Sequence, residues 1–403
     1  MDPVSPFPAI ISLLLAMATA YFLLKQFGAS PNQGRFTTID GLRGYLAFFV
    51  FMHHSSIWYF YLRTGQWQLP PSNLYTHFGQ SSVLLFFMIT GFLFFSKLID
   101  GKRKNIDWGK LFVSRFLRLV PLYLFAMSLL FIVVACVSIG ILNEPIPVIL
   151  TEVIQWLSFT VIGAPDLNGI TPTFIIVAGV TWSLPYEWLF YFSLPLLALA
   201  VKVIPPLPYI ALSIAGITGL VIWGSQNNLM VFIPFFSGII AAILARYDLF
   251  RRFAAQRMSS LILICCMATA VALYPSVYGA VPLLLMTVVF TLIACGNNLF
   301  GLLVSPVSRT LGEMSYSIYL LHGITLFVTF NFVLDLDIGS ASAPSAMTHW
   351  LWVAGITPVL ICICFLTFRY IESPAMRSTA TVTLWLRSHI SLRPKKAVTS
   401  VIP

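Results

Sequence analysis

Apolar residues along this chain fall in long continuous runs, and charged residues are confined to short segments between them. Half-buried strands, in a soluble core or a membrane barrel, would alternate apolar and polar positions instead. The runs predict transmembrane helices of roughly 20 residues each. In order they are Phe7 to Leu24, Tyr45 to Leu62, Val83 to Ser96, Leu119 to Ile141, Tyr186 to Val201 and Leu207 to Trp223. Val231 to Leu244, Leu261 to Tyr274, Val281 to Cys295, Met314 to Leu334 and Trp350 to Phe368 follow. The expected fold is an all-α polytopic membrane protein with about ten core transmembrane helices plus one extra N-terminal helix.

Polar segments orient these spans. Lys97 to Arg118 holds seven basic residues against Asp100 and Asp107, the mark of a cytoplasmic segment. Asp2 precedes the first run, while Lys25, Arg35 and Arg43 follow it, so that run enters from outside. It lacks a basic n-region and a small-residue cleavage site, and is read as a retained helix. Gly34 to Asp40 reads as a connector, Arg63 to His77 as an external loop with Pro70-Pro71 as its turn signal. Asp335 and Asp337 mark another external loop. Arg369, Arg377, Arg387, Arg393, Lys395 and Lys396 mark a cytoplasmic tail, with Ser391 to Pro403 as a disordered end.

Asn143 to Leu184 is broken by Pro145, Pro147, Gly169 and Pro172. With Lys202 cytoplasmic, it must contribute an even number of crossings. Zero is preferred, which makes it an irregular or re-entrant external segment lining a protein cavity. The chain then divides into an N-terminal helix with connector (1–35), a membrane domain (36–376) and a basic tail (377–403).

Composition agrees: 59% of residues are hydrophobic and 9% charged, against about 25% charged in soluble domains. The net charge of +10 does not point to nucleic acid, because the basic residues sit in short loops between spans. The six cysteines include no Cys-x-x-Cys pair and read as small apolar fillers, with no case for a metal site.

Charged and titratable groups inside apolar runs call for a function. In Thr37 to Trp58, His54 lies eleven positions after Arg43. At 100° per residue that is three turns and about 20°, so both leave one helix face, roughly 16 Å apart along the axis. His53 points about 80° away. Burial favours the neutral imidazole, which can accept a proton as a general base. Arg115 and Arg118 share a face at i, i+3 and approach from the same cytoplasmic side. They are either headgroup anchors or, with Arg43, a grip on a phosphorylated anion.

In TWSLPYEWLFYF, Glu187 opens an inward span at its external end. It either orients His54 or an acceptor hydroxyl, or caps the helix beside an interfacial belt that includes Trp182 and Tyr186. Asp40, His53 and Ser183 are further candidates for the cavity wall. In LGEMSYSIYLLH, Tyr316, Tyr319 and His322 form a polar stripe at i, i+3, i+6, lining the same cavity or bonding neighbouring helices. In FRYIESP, Arg369 and Glu372 read as a terminal ion pair before a helix stop at Pro374.

Taken together, IDGLRGYLAFFVFMHH, RFLR, WSLPYEWLFYFSLPLL, LGEMSYSIYLLH and FRYIESP, in that order, resemble the membrane acyltransferase-3 family, multi-pass acyl-CoA-dependent O-acyltransferases. The resemblance runs from about Phe36 to Pro374 and is of the stand-alone type. The family's arginine–ten residues–histidine element falls on Arg43 and His54, its Arg-x-x-Arg on Arg115 and Arg118, and its acidic position on Glu187. It implies transfer of an acyl group, commonly acetyl, from cytosolic acyl-CoA to a hydroxyl of an extracytoplasmic glycan or lipid-linked sugar. His54 would be the general base, and Arg43, Arg115 and Arg118 would hold coenzyme A. Acyl-CoA is a co-substrate, with no permanently bound cofactor. The implied setting is a bacterial inner (plasma) membrane with a cytoplasmic C-terminus; the oligomeric state is left open, a homodimer included. The rival reading is a proton-coupled transporter or flippase of an anionic substrate, with His54 and Glu187 as proton relay. A third is a scaffold whose polar residues only hold helices together.

Overall fold

The apolar runs all become helical in the computed structural model, which describes residues 2–28, 36–102, 105–223, 229–339 and 343–390. No strand forms among them. The helices are α1 (Phe7–Phe27), α2 (Thr37–Thr64), α3 (Asn73–Asp100), α4 (Trp108–Val137), α5 (Ile146–Leu157) and α6 (Leu184–Ala200). Next come α7 (Leu207–Trp223), α8 (Ile233–Leu244), α9 (Asp248–Ala254), α10 (Arg257–Leu273) and α11 (Ala280–Ala294). The last are α12 (Pro306–Glu313), α13 (Ser315–Val328), α14 (Ala346–Thr367), α15 (Ser373–Arg377) and α16 (Thr379–Ile390). The expected disordered end, Ser391 to Pro403, and the first two residues of the expected connector, Gly34 and Arg35, lie outside the described residues.

Among the described residues, five helices are long and apolar enough to cross a membrane: α1, α3, α4, Ser315–Val333 and Ala346–Arg377. Met230–Leu244 with Asp248–Ala254, bent by 104°, would make a sixth. The other expected spans are apolar helices of 10–17 residues, or, in α2, a helix carrying Asp40, Arg43 and Arg63. Several apolar helices of this kind mark an integral membrane protein.

Helix ends differ from the sequence expectation where caps act. Ser72 accepts a hydrogen bond from the Tyr75 amide and starts α3 at Asn73, well before Val83. α2 starts at Thr37, so Asp40 belongs to its first turn and not to a connector. Pro374 does not stop the last long helix. The backbone widens into a π-type turn over Phe368–Glu372, and the proline sits in the first turn of α15, where no amide is needed. The tail then forms α16, tied to the start of α4 by Arg387 and Asp107 at 2.5 Å.

α2 is the hub. It packs on α3, α12, α13, α11 and α14 and is buried along most of its length, so it needs little apolar exterior of its own. α1 packs against α14 and α12. Its leading segment is pinned at one end of the bundle, where Trp350 Nε1 donates to the Pro3 carbonyl at 2.9 Å and Tyr75 Oη to the Ser5 carbonyl at 2.8 Å. At the opposite end, Arg246 pairs with Asp100 at 2.8 Å and binds the Ser96 carbonyl at 3.0 Å.

The approach of α2 to α12 requires Gly312, where a Cβ would lie 1.7 Å from the Asp40 carbonyl oxygen. Gly312→Ala is expected to destabilise the protein by about 1–3 kcal/mol through overpacking. Gly355→Ala, where a Cβ meets nothing within 4 Å, is the control. Thermal unfolding of both variants in detergent checks this, and equal midpoints would refute it.

Candidate active site

The segment between α5 and α6 does not stay at the bundle's end. Its tight turns Thr173–Val177 and Val180–Ser183 lie against the middle of α13. Gly323 permits this, since a Cβ there would lie 2.4 Å from the Val177 carbonyl carbon. Tyr319 Oη donates to the Val180 carbonyl at 3.0 Å and lies 2.8 Å from Ser183 Oγ. Irregular backbone at this depth is tolerated because it lines protein rather than lipid. α6 therefore begins inside the bundle.

That start positions Glu187. It stands in the first turn of α6, and its carboxylate lines a cavity of about 320 Å³ together with Arg43, Arg115 and Arg118. The first turn of a helix favours a carboxylate, and Glu187 accepts a hydrogen bond from Tyr191 one turn later. Arg115 lies within electrostatic range of the same Tyr191 hydroxyl. Arg115 otherwise reaches Ser114 Oγ at 3.1 Å and lies over the Phe94 ring. Arg43 has Asp40, Glu187, Arg115 and Arg118 in electrostatic range, yet makes no direct hydrogen bond among the described residues. Its five donors are open to a ligand.

Arg118 pairs with Glu372 at 3.2 Å. This corrects the local reading of FRYIESP. Glu372 is fully buried and accepts a hydrogen bond from Ser317, while Arg369 lies over Phe27. The wide π-type turn carries the two side chains apart, and a buried carboxylate takes the nearest guanidinium, one from another helix.

The cavity wall is otherwise apolar, from Val83 to Phe94 on α3, with Thr90, Ser183, Ser315, Tyr316 and Tyr319 as polar points. Tyr316 donates to the Leu119 carbonyl at 3.1 Å, so it both lines the cavity and joins helices. The buried Ser315 hydroxyl has no partner among the described residues. Trp182 and Tyr186 are not in this wall and pack on Phe87. Asp40 lines a second pocket next door.

His322 lies one turn beyond Tyr319 on α13, and His54 of α2 meets it there. His54 Nδ1 is 2.9 Å from His322 Nε2, and His322 Nδ1 is 2.9 Å from the Ile318 carbonyl. A carbonyl only accepts, so His322 Nδ1 carries the proton and its Nε2 accepts from His54 Nδ1–H. In the neutral pair this leaves His54 Nε2 with its lone pair free. Trp67 lies near parallel to the His54 ring, with centroids 6.3 Å apart. His53 turns the other way: its Nδ1 donates to the Tyr75 carbonyl at 2.7 Å, and its ring packs on Gly79.

The structure thus gathers Arg43, Arg115, Arg118, Glu187, Ser183, Tyr316 and Tyr319 around one cavity and pairs His54 with His322 just beyond it. Thr90, Ser315, Glu372 and Met376 are the additions. Glu372 had a sequence signal, an acid in a helix otherwise buried, but its spacing to Arg369 masked it. Among the described residues no cluster of metal-ligating side chains is present.

Neither a curated protein nor a solved structure matches the chain significantly. A family model described as an acyltransferase domain matches residues 36–369, most of the chain, with Arg43, His54, Arg115, Arg118, Glu187 and His322 inside the match. The chain belongs to the acyltransferase-3 family, and its integral membrane domain is an acyltransferase domain.

Proposed function

We propose that this protein is an O-acyltransferase that moves an acyl group, commonly acetyl, from cytosolic acyl-CoA to a hydroxyl of an extracytoplasmic or lipid-linked sugar. The observation that carries this reading is the cavity itself, with unpaired arginine donors at one end and a histidine with a free Nε2 just past the other. Coenzyme A has the same polarity: its phosphates sit at one end and its uncharged thioester at the other. Arg43 and Arg115 hold the donor, and Arg118, already held by Glu372, completes the wall.

His54 Nε2 takes the proton of the acceptor hydroxyl as its oxygen bonds to the thioester carbonyl carbon. The carbon–sulfur bond then breaks, and the coenzyme A thiolate leaves and recovers that proton. His322 holds the His54 tautomer. Orientation of donor and acceptor supplies much of the rate, since the thioester is already activated.

We read α2 and the shorter apolar helices as crossing the membrane too, giving about ten core spans plus α1. The basic ends of α3, α4 and α8 share one side, which supports a plasma (bacterial inner) membrane protein with its C-terminus in the cytoplasm.

Purified protein incubated with labelled acetyl-CoA and a membrane glycan fraction is expected to transfer label to the glycan. Arg43→Ala is expected to raise KM for the donor roughly tenfold or more, with a smaller effect on kcat. Failure of the wild type to bind coenzyme A would favour the transporter reading instead.

A further inference from the structure

The site cavity adjoins a second pocket of about 280 Å³, and Arg43, Arg118 and Met376 line both. Two further arginines face this outer pocket, Arg309 from α12 and Arg377 from the end of α15. Among the described residues neither side chain makes a hydrogen bond or ion pair, and Arg309 lies in the longer-range field of Asp40. The pocket is not uniformly basic, since Asp40 and Glu313 also line it. Asp40 lies within range of Arg43, Arg118 and Arg309 and offsets their mutual repulsion. Even so, four guanidinium groups converge on a space at the mouth of a mostly uncharged channel.

We propose that this outer pocket binds the phosphorylated nucleotide end of the acyl-CoA donor, with Arg309 and Arg377 holding its phosphates. This rests on the acyl-CoA reading above and extends it to residues outside the family's arginine motifs. Guanidinium forks suit phosphate oxygens, which can accept two hydrogen bonds at once. The pocket's position supplies the order of the ligand. With phosphates outside the Arg43–Arg118 neck, the pantetheine arm passes inward along Leu93, Phe86 and Tyr319 toward His54. A third pocket is lined by Lys97, Lys110 and Met376. It shares only that one residue with the site cavity, and its Asp100 and Asp107 are occupied by Arg246 and Arg387. The three residues that it shares with the site cavity favour the arginine pocket.

The test is calorimetric titration of the full-length protein in detergent with coenzyme A and with 3′-dephospho-coenzyme A. Wild type is expected to bind coenzyme A more tightly than the dephospho form. Arg309→Ala with Arg377→Ala is expected to weaken coenzyme A roughly tenfold or more and to narrow the gap between the two ligands. Arg377→Ala alone, at an exposed helix end, should fold normally and show a fall of several-fold. Unchanged coenzyme A affinity in both variants would overturn the proposal while leaving the enzyme reading intact. So would a loss seen only in Lys97→Ala with Lys110→Ala. No coenzyme A binding by the wild type would overturn both.

Discussion

His54→Ala is expected to lower acyl transfer by about 10²–10⁴-fold, the range for removing a positioned general base. The fall should appear in kcat, with coenzyme A affinity nearly unchanged, because the arginines proposed to hold its phosphates lie at the far end of the cavity. His53→Ala is the informative contrast. It removes a buried hydrogen bond to the Tyr75 carbonyl and leaves space beside Gly79. The expected cost is about 1–3 kcal/mol of stability, with the activity of the folded fraction within several-fold of wild type. His322→Ala should fall between the two, because His54 then loses the partner that holds its tautomer. Should His53→Ala be the inactive variant and His54→Ala an active one, the assignment of the base is wrong.

Glu372→Ala is expected to produce the largest loss of stability, about 3–5 kcal/mol, the range for stripping one member from a buried ion pair. The carboxylate is 0% exposed and Arg118 is 12% exposed, so water cannot replace the lost partner well. Ser317 loses its acceptor as well, and the Ser317–Thr367 contact at 2.9 Å loses its anchor. Removing both charges, as Glu372→Leu with Arg118→Met, should recover part of the stability, because no lone charge remains buried. Thermal unfolding in detergent of the three proteins decides the matter. A Glu372→Ala midpoint equal to wild type would mean that the pair carries no stability. The double variant should still bind coenzyme A less well, since Arg118 lines both pockets.

Much of this was legible in the chain. Continuous apolar runs predict helices because the bilayer interior satisfies no backbone hydrogen bonds, so every run must satisfy its own. Helical periodicity also separates His53 from His54, and their different neighbours, α3 for one and α13 for the other, follow from the 100° between adjacent residues. The ordered motifs identify the family over the region that the family model matches. Helix ends were less legible: Ser72 and Pro374 act through caps and turn geometry, which hydropathy does not report.

What only the tertiary structure decided are the pairings between distant positions. Glu372 reads locally as a partner of Arg369 but belongs to Arg118, and His322 reads as one of a stripe but belongs to His54. The start of α6 inside the bundle, which brings Glu187 to the arginines, depends on a glycine on another helix. The sequence by itself determined the helices, their faces and the family, because those depend on residues a few turns apart. Which faces meet depends on close backbone approach at Gly312 and Gly323, and the buried charges then pair with whatever that packing brings within reach.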